Sequence, residues 1–452
     1  MMRFSVLIFY LLILFLPTQL GRHFFLDFSF VSGIRVDYLA PTIYLTDIFV
    51  LTLFALWLID KIGIKKHESR IKGLNSMIHD SKFMILSAFA ALLVFGILLS
   101  KNQAAAWFGL LRFLELVFLG FYAAINIKKM RFETILFLFS IGIVFEFFLS
   151  IAQYLNQGSI GGIFYFFGER SFNGQTPGIA NASIDGKLVL RPYGTFPHPN
   201  VLAGYLLVGM ILILYRIKNY ESRIMNHGKT LLIFSMIAGT IGLLLTMSRI
   251  AIILWLFIVG FHGVTHVIKK IKNAKPVIHD SLFIIRILVV LVFIGSIFML
   301  SPLGHRFTNL KLADESIVVR QELIKSSLLM IKENLFLGVG LNNFLIELPG
   351  YQKINNYFLD LQPVHNIFLL VATETGLIGL VFFLWFMFKT YQRIMNHELR
   401  IKDKNPIIHN SKFIILTAVL ILGLFDHYFL TLQQGQLLFS FILGLCWANM
   451  RK

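Results

Sequence analysis

Residues 104–154 read AAAWFGLLRFLELVFLGFYAAINI, then KKMR at 128–131, then FETILFLFSIGIVFEFFLSIAQY, and this stretch decides the fold. Two apolar runs flank a four-residue basic turn. A helix rises 1.5 Å per residue, so each run covers the roughly 30 Å of a bilayer's hydrocarbon core. Ten further runs of the same kind lie near 3–19, 42–60, 83–99, 199–216, 230–247, 250–268, 282–300, 366–388, 413–430 and 434–450. The expectation is an all-α, polytopic integral membrane protein of about twelve transmembrane helices, with a long extracytoplasmic loop before the tenth. A single membrane domain, 1–452, then divides into the first five spans (1–154), a first long outer loop (155–198), spans six to nine (199–300), a second long outer loop (301–365) and the last three spans (366–452).

Charge fixes the orientation. With the N-terminus inside, the cytoplasmic connections hold 26 of the 41 Lys and Arg residues and the outer ones 13, while Arg112 and Arg286 fall within spans. Most of the outer cations sit on the two long loops, where the positive-inside rule has little force. Both termini are therefore expected in the cytoplasm, with the protein in the cytoplasmic (inner) membrane. The bulk numbers agree: 57% hydrophobic residues, 14% charged and a mean hydropathy of +0.76. A net charge of +18 spread over short juxtamembrane loops suits anionic lipid headgroups rather than nucleic acid. The first span lacks a small-x-small cleavage site and reads as retained. A single cysteine, Cys446, excludes an intrachain disulfide and a cysteine-based metal site.

Short segments recur in the inner connections: MIHDSKFMIL (77–86), VIHDSLFII (277–285) and IIHNSKFIIL (407–416), with ESRI (68–71), ESRIMNHG (221–228) and RIMNHE (393–398). The irregular spacing excludes a solenoid. Duplicated material in tolerant loops accounts for them more simply than docking sites do, and the chemistry is expected on the other face.

There, the first long loop ends in Arg191-Pro-Tyr-Gly-Thr-Phe-Pro-His-Pro-Asn200. Three prolines hold the backbone extended, Gly194 permits a bend, and Pro199 suits the first turn of a helix. This strap presents Arg191, His198 and Asn200. In the second loop a helix is expected over about 315–335, with Ile317, Ile324, Leu328, Ile331 and Leu335 as its apolar stripe and Glu322, Ser326 and Glu333 opposite. Arg320 falls on the membrane or protein side and needs an anionic partner. His365 stands at the outer mouth of the tenth span, and Arg249 lies in the short turn Thr246-Met-Ser-Arg-Ile250. Each of these also has an ordinary reading as a cap or a snorkelling cation. Within spans, Arg112 and Glu115 sit three apart and neutralise each other. Glu146, Glu374, Asp426 and His427 are costly there and hence functional candidates, with Glu374 assigned to structure.

Taken together, RPYGTFPHPNVLAGYLL (191–207), TMSR (246–249), the arginine-bearing helix leading into GVGLNNF (338–344), VHNIFLLVATETGLIGL (364–380) and FDHYFLTLQQGQLLFSFILGL (425–445) resemble the O-antigen ligase and O-antigen polymerase superfamily. The resemblance covers roughly 185–450. It implies a glycosyltransferase that moves a glycan from a polyprenyl diphosphate carrier, typically undecaprenyl diphosphate, to a lipid or protein acceptor outside the cytoplasmic membrane. It further implies an inverting reaction with no metal and no cofactor. The family's essential histidine falls on His365 and its arginines on Arg191, Arg249 and Arg320. The expected catalytic pair is His365 and Arg320, with Arg191, Arg249, His198 and Asn200 binding substrate.

The chemistry is consistent with that assignment. Breaking a sugar C1 to diphosphate bond releases growing negative charge, which metal or arginine can stabilise. No Asp-x-Asp pair occurs in an outer loop, and Asp314-Glu315 is the sole adjacent acidic pair there. Arginine binds phosphate oxygens bidentately and stays charged, and a histidine is a suitable base near neutral pH. A polysaccharide polymerase of the same family, and a lipid-linked sugar transporter or flippase, are the competing readings. The transporter would show two related halves and interrupted helices near the midplane.

Overall fold

The computed structural model describes residues 2–65, 81–184, 186–219, 226–272, 295, 315–355, 360–399 and 411–448. Its helices are α1 (Met2–Leu14), α2 (Leu45–Lys65), α3 (Ser81–Leu99), α4 (Gln103–Asn126), α5 (Phe132–Asn156), α6 (Pro199–Asn219), α7 (Asn226–Leu245), α8 (Arg249–Lys272), α9 (Glu315–Glu333), α10 (Phe344–Glu347), α11 (Ile367–Leu399), α12 (Ser411–Gly423), α13 (Tyr428–Thr431) and α14 (Gln433–Trp447). Eleven of these coincide with expected spans. Among the described residues, Gln103–Lys129, Phe132–Asn156 and Ile367–Asn396 are long and apolar enough to cross a membrane, and six shorter helices are apolar throughout. The protein is therefore a helical membrane protein. The ninth expected span apart from residue 295, Arg286 within it, and most of the inner-connection repeats lie outside the described residues.

Helix α6 is the axis of the bundle. Residues 201–213 are buried on every side, as befits a helix apolar all round. Neighbours approach it closely where a small residue allows, as in membrane bundles generally: the Tyr428 ring lies over Gly204, and the Tyr205 ring over Gly142 of α5. Large side chains such as Leu111, Phe257 and Val381 point outward instead, forming the surface that lipid covers.

Burying Arg112 inside α4 requires compensation. It bonds Glu115 at 2.7 Å, as the spacing predicts, and also Asp47 of α2 at 3.0 Å. Gln433 bridges Arg112 and Asp47, tying α14 into the same cluster.

The chain is mostly helical, as expected, with short strands added in the loops between α1 and α2 and before α6. Six short strands occur there: β1 (Gly21–His23), β2 (Phe30–Val31), β3 (Ile34–Arg35), β4 (Thr42–Tyr44), β5 (Asn181–Ile184) and β6 (Lys187–Leu190). They pair antiparallel as β1 with β4, β2 with β3, and β5 with β6. The turn between β2 and β3 uses Ser32 and Gly33 at positive φ, the geometry a two-residue hairpin demands. Two to four residues per strand are too few for an alternating pattern to stand out beside membrane-length apolar runs.

Helix α9 occupies 315–333, as expected, but its protein-facing side is not the apolar stripe. Leu323, Ser326, Ser327 and Met330 are buried, while Ile324, Leu328 and Leu335 are exposed. Ser326, expected on the solvent side, bonds Gln352 at 2.9 Å. In a bilayer the apolar face can turn to lipid and the small polar residues to protein, so the amphipathic pattern reads in reverse. The result favours Arg320, which shares the buried side with Leu323 and Ser327.

Helix α11 is interrupted at Gly376, where φ is 67°. The segment 335–340 serves the break: Val339 and Gly340 donate to the carbonyls of Thr373 and Glu374 at 2.9 and 3.0 Å, and Leu377 donates to Leu335 at 2.8 Å. The glycine turn of GVGLNNF thus enters the bundle. It is tolerated there because helix and loop satisfy each other's backbone. The Glu374 carboxylate accepts the amides of Asn342 and Phe344, so its role is to hold this loop.

Candidate functional site

Two buried side chains of α5 hold the strap before α6. Gln153 accepts the amides of Tyr193 and Gly194 at 2.9 and 2.8 Å and donates to the Gly194 carbonyl at 2.9 Å. Glu146 accepts the amide and the hydroxyl of Thr195 at 3.0 and 2.5 Å. Glu146, a functional candidate in the sequence, is thereby accounted for structurally. Gly194 makes the expected bend with φ of 58°, and α6 begins at Pro199 as predicted.

From this strap a chain of hydrogen bonds crosses one end of the bundle. Buried Arg191 donates from Nε to the Thr246 carbonyl at 2.8 Å and from a terminal nitrogen to the Asn200 side-chain oxygen at 2.7 Å. Asn200 donates in turn to Asp426 Oδ2 at 2.7 Å. The other Asp426 oxygen accepts the His427 backbone amide at 2.8 Å. Thr246 opens the turn that ends in Arg249, the first residue of α8. The strap, the α7–α8 turn and the turn after α12 are thus locked together by side chains at 191, 200 and 426. His198 serves the same scaffold: its Nδ1 accepts the Asn200 amide at 3.1 Å and its carbonyl receives Val201 N–H at 3.0 Å, opening α6. Burial, then the charge of Arg191, pushes His198 down to about 3, so it stays neutral at every physiological pH.

The eleventh span was expected to continue through 413–430. Instead α12 stops at Gly423, and residues 424–427 form a turn that leads into α13. A helix running on would bury Asp426 against lipid without partners, whereas the turn supplies two. Asn366 fixes the facing corner. Its side-chain oxygen caps α11 by accepting from Phe368 and Leu369 at 2.9 and 3.0 Å, and its amide donates to the Leu424 carbonyl at 3.2 Å.

That clasp sets His365 beside Asp426 and His427. The two imidazole rings lie 5.0 Å apart, inclined at 73°. His365 is half-buried, and its Nδ1 has no hydrogen-bond partner. Burial holds His365 well below the ordinary imidazole range; Asp426 acts to raise it, and the Arg320 charge presses it down further. Arg320 therefore lies close enough for its field to reach both His365 and His198. One atom each of His365, Asp426 and His427 lies within 4.8 Å of the others, an arrangement open to a metal ion.

All six sequence-predicted residues thus belong to one end of the bundle. Arg191, His198 and Asn200 brace it, His365 sits beside Asp426 and His427, and the charge of Arg320 reaches His365 and His198. Arg249 joins through its turn. Sequence reading flagged Asp426 and His427 as costly span residues and quoted them within the FDHY motif, without assigning either to the site. It missed Tyr38, between β3 and β4, whose ring meets His427 edge-on at 5.5 Å and whose hydroxyl is pushed up by burial and then by Asp426. A lone tyrosine in a loop carries no pattern that finds it.

No curated protein matches the chain. A family model described as O-antigen ligase matches residues 234–384, which hold Arg249, Arg320 and His365, so this segment is similar to the O-antigen ligase family.

Proposed function

We propose that this protein is an O-antigen ligase-type glycosyltransferase. It takes a glycan from a polyprenyl diphosphate carrier and joins it to a hydroxyl or amide of a lipid or protein acceptor on the outer face of the cytoplasmic membrane, inverting at C1 and without a metal. The observation that carries this reading is a neutral histidine at the start of α11, beside a carboxylate that accepts one hydrogen bond on each oxygen and within the field of Arg320.

In the transfer, the acceptor atom forms its bond to C1 as the C1–oxygen bond to diphosphate breaks. Its proton passes to the lone pair of His365, and the electron pair leaves with the diphosphate. A depressed basicity keeps His365 unprotonated and ready to accept. Asp426 favours the imidazolium that forms, and donor diphosphate adds negative charge beside it. Arg320 and Arg249 meet the charge growing on the leaving group. Arg191, His198 and Asn200 hold the strap that places Asp426.

The test uses purified protein in lipid with a polyprenyl diphosphate glycan and an acceptor. His365→Ala removes the base but leaves the arginines. Donor binding is expected to persist while transfer falls roughly 100- to 10,000-fold, the range of general acid-base assistance. Normal transfer by the folded variant eliminates the proposed base, and lost donor binding makes His365 a phosphate ligand instead.

A further inference from the structure

We propose that His365, Asp426 and His427 form a binding site for a divalent transition-metal ion, zinc above all, and that the bound ion switches transfer off by occupying His365. The binding half of this proposal stands on geometry alone. The inhibitory half rests on the reading of His365 as the base.

The donor set is two imidazoles and one carboxylate, each offering an atom within 4.8 Å of the others. Zinc bonds of about 2.0–2.1 Å to nitrogen and oxygen need ligands roughly 3.4 Å apart, so closure asks for an inward movement of about an ångström. Three protein ligands with an open fourth position is a common zinc arrangement.

His427 is already oriented for this role. The Thr431 hydroxyl donates to the His427 carbonyl at 3.2 Å, so its oxygen is an acceptor, and it lies 2.6 Å from His427 Nδ1. In the tautomer that leaves the Thr431 proton on the carbonyl, Nδ1 carries the ring proton and Nε2 a bare lone pair. A ligating histidine held through its second nitrogen is the usual supporting arrangement at a metal. His365 Nδ1 is buried with no hydrogen-bond partner. Asp426 is fixed from both sides by Asn200 and the His427 amide.

The positive field of Arg320 reaches both histidines and disfavours any cation. Only an ion that bonds imidazole strongly overcomes it, which selects zinc, copper or nickel and rejects magnesium and calcium. Zinc coordinated by His365 takes the lone pair that would receive the acceptor's proton.

Untagged full-length protein in lipid nanodiscs, titrated with Zn2+ and separately with Co2+, tests the site. The expected result is one ion per chain and an intense visible Co2+ band of a four-coordinate centre. Mg2+ should displace neither ion. Thr431→Val leaves all three ligands in place and should weaken binding about 10- to 100-fold, and His427→Gln should abolish it, both judged at an unchanged thermal midpoint. Wild-type protein that binds no Zn2+, or binds it as tightly as His427→Gln does, overturns the site. In the transfer assay, activity should fall with Zn2+ occupancy and return with chelator. Zinc that binds without effect, or that accelerates transfer, overturns the inhibitory role. A chain that transfers no carrier-linked glycan even when metal-free refutes the proposed function and leaves the metal titration standing.

Discussion

Asn200 and Asp426, 226 residues apart, meet in a 2.7 Å hydrogen bond that joins the start of α6 to the turn after α12. Because Arg191 holds the Asn200 oxygen, the amide can present only its nitrogen to Asp426. The carboxylate beside His365 is therefore aimed by a residue of the strap.

Replacing Asn200 by Asp should do more harm than replacing it by Ala. Alanine leaves one Asp426 oxygen short of a donor, a cost of about 1–3 kcal/mol, and aspartate adds a like charge. Transfer by Asn200→Ala is expected to fall roughly tenfold, and that by Asn200→Asp further. Equal, near-native rates for the two variants at matched membrane expression would sever the strap from the chemistry.

Arg320→Lys and Arg249→Lys retain charge and lose the planar fork. If these arginines hold diphosphate in a dry site, each substitution should cost on the order of 2 to 4 kcal/mol of barrier, or roughly 30- to 1000-fold in rate. Wild-type turnover by both lysine variants at saturating donor would make them membrane anchors.

The helices were legible because membrane-length apolar runs are the strongest pattern a sequence offers, and the strap was legible because proline and glycine restrict the backbone so strongly. His365, Arg320 and Asn200 were found through motif resemblance and their outer position. What was not legible follows from the solvent. The apolar side of α9 faces outward, so the pattern that marks a core elsewhere marks the periphery here, and Ser326 and Ser327 are buried instead. The interruption at Gly376 depends on carbonyls shared with residues 335–340, and the break before Asp426 on donors from Asn200 and His427. Such long-range pairings leave no local trace.

The orientation predicts accessibility. In a Cys446→Ala background, single cysteines at 175–185 and 350–360 should react with a membrane-impermeant reagent from outside, and those at 219–228, 270–278 and 396–405 only from the cytoplasm. The reverse pattern would remove the outer site with the topology.

Gly376 should tolerate no side chain. At φ of 67° a Cβ is strained, and here it would meet the carbonyl of Phe336. Gly376→Ala is expected to destabilise the protein by about 1–3 kcal/mol, read as a lower thermal midpoint in lipid. Gly350→Ala, with open space around it, is the control and should leave the midpoint unchanged.

The sharpest pH prediction concerns Asp426→Asn. Burial and the Arg320 charge hold His365 below its ordinary value, and Asp426 is the group that raises it. A base works unprotonated, so the acid limb of kcat/KM should lie below pH 6.5, the imidazole reference. Removing the Asp426 charge should lower it further. Asp426→Asn should therefore transfer more slowly at neutral pH, since its imidazolium is less stabilised, yet lose proportionately less activity on acidification. The profiles would be measured with chelator present, so that metal at His365 cannot imitate a proton. An acid limb that moves upward in Asp426→Asn would contradict the placement of this carboxylate beside the base, and one that does not move would assign the limb to another group.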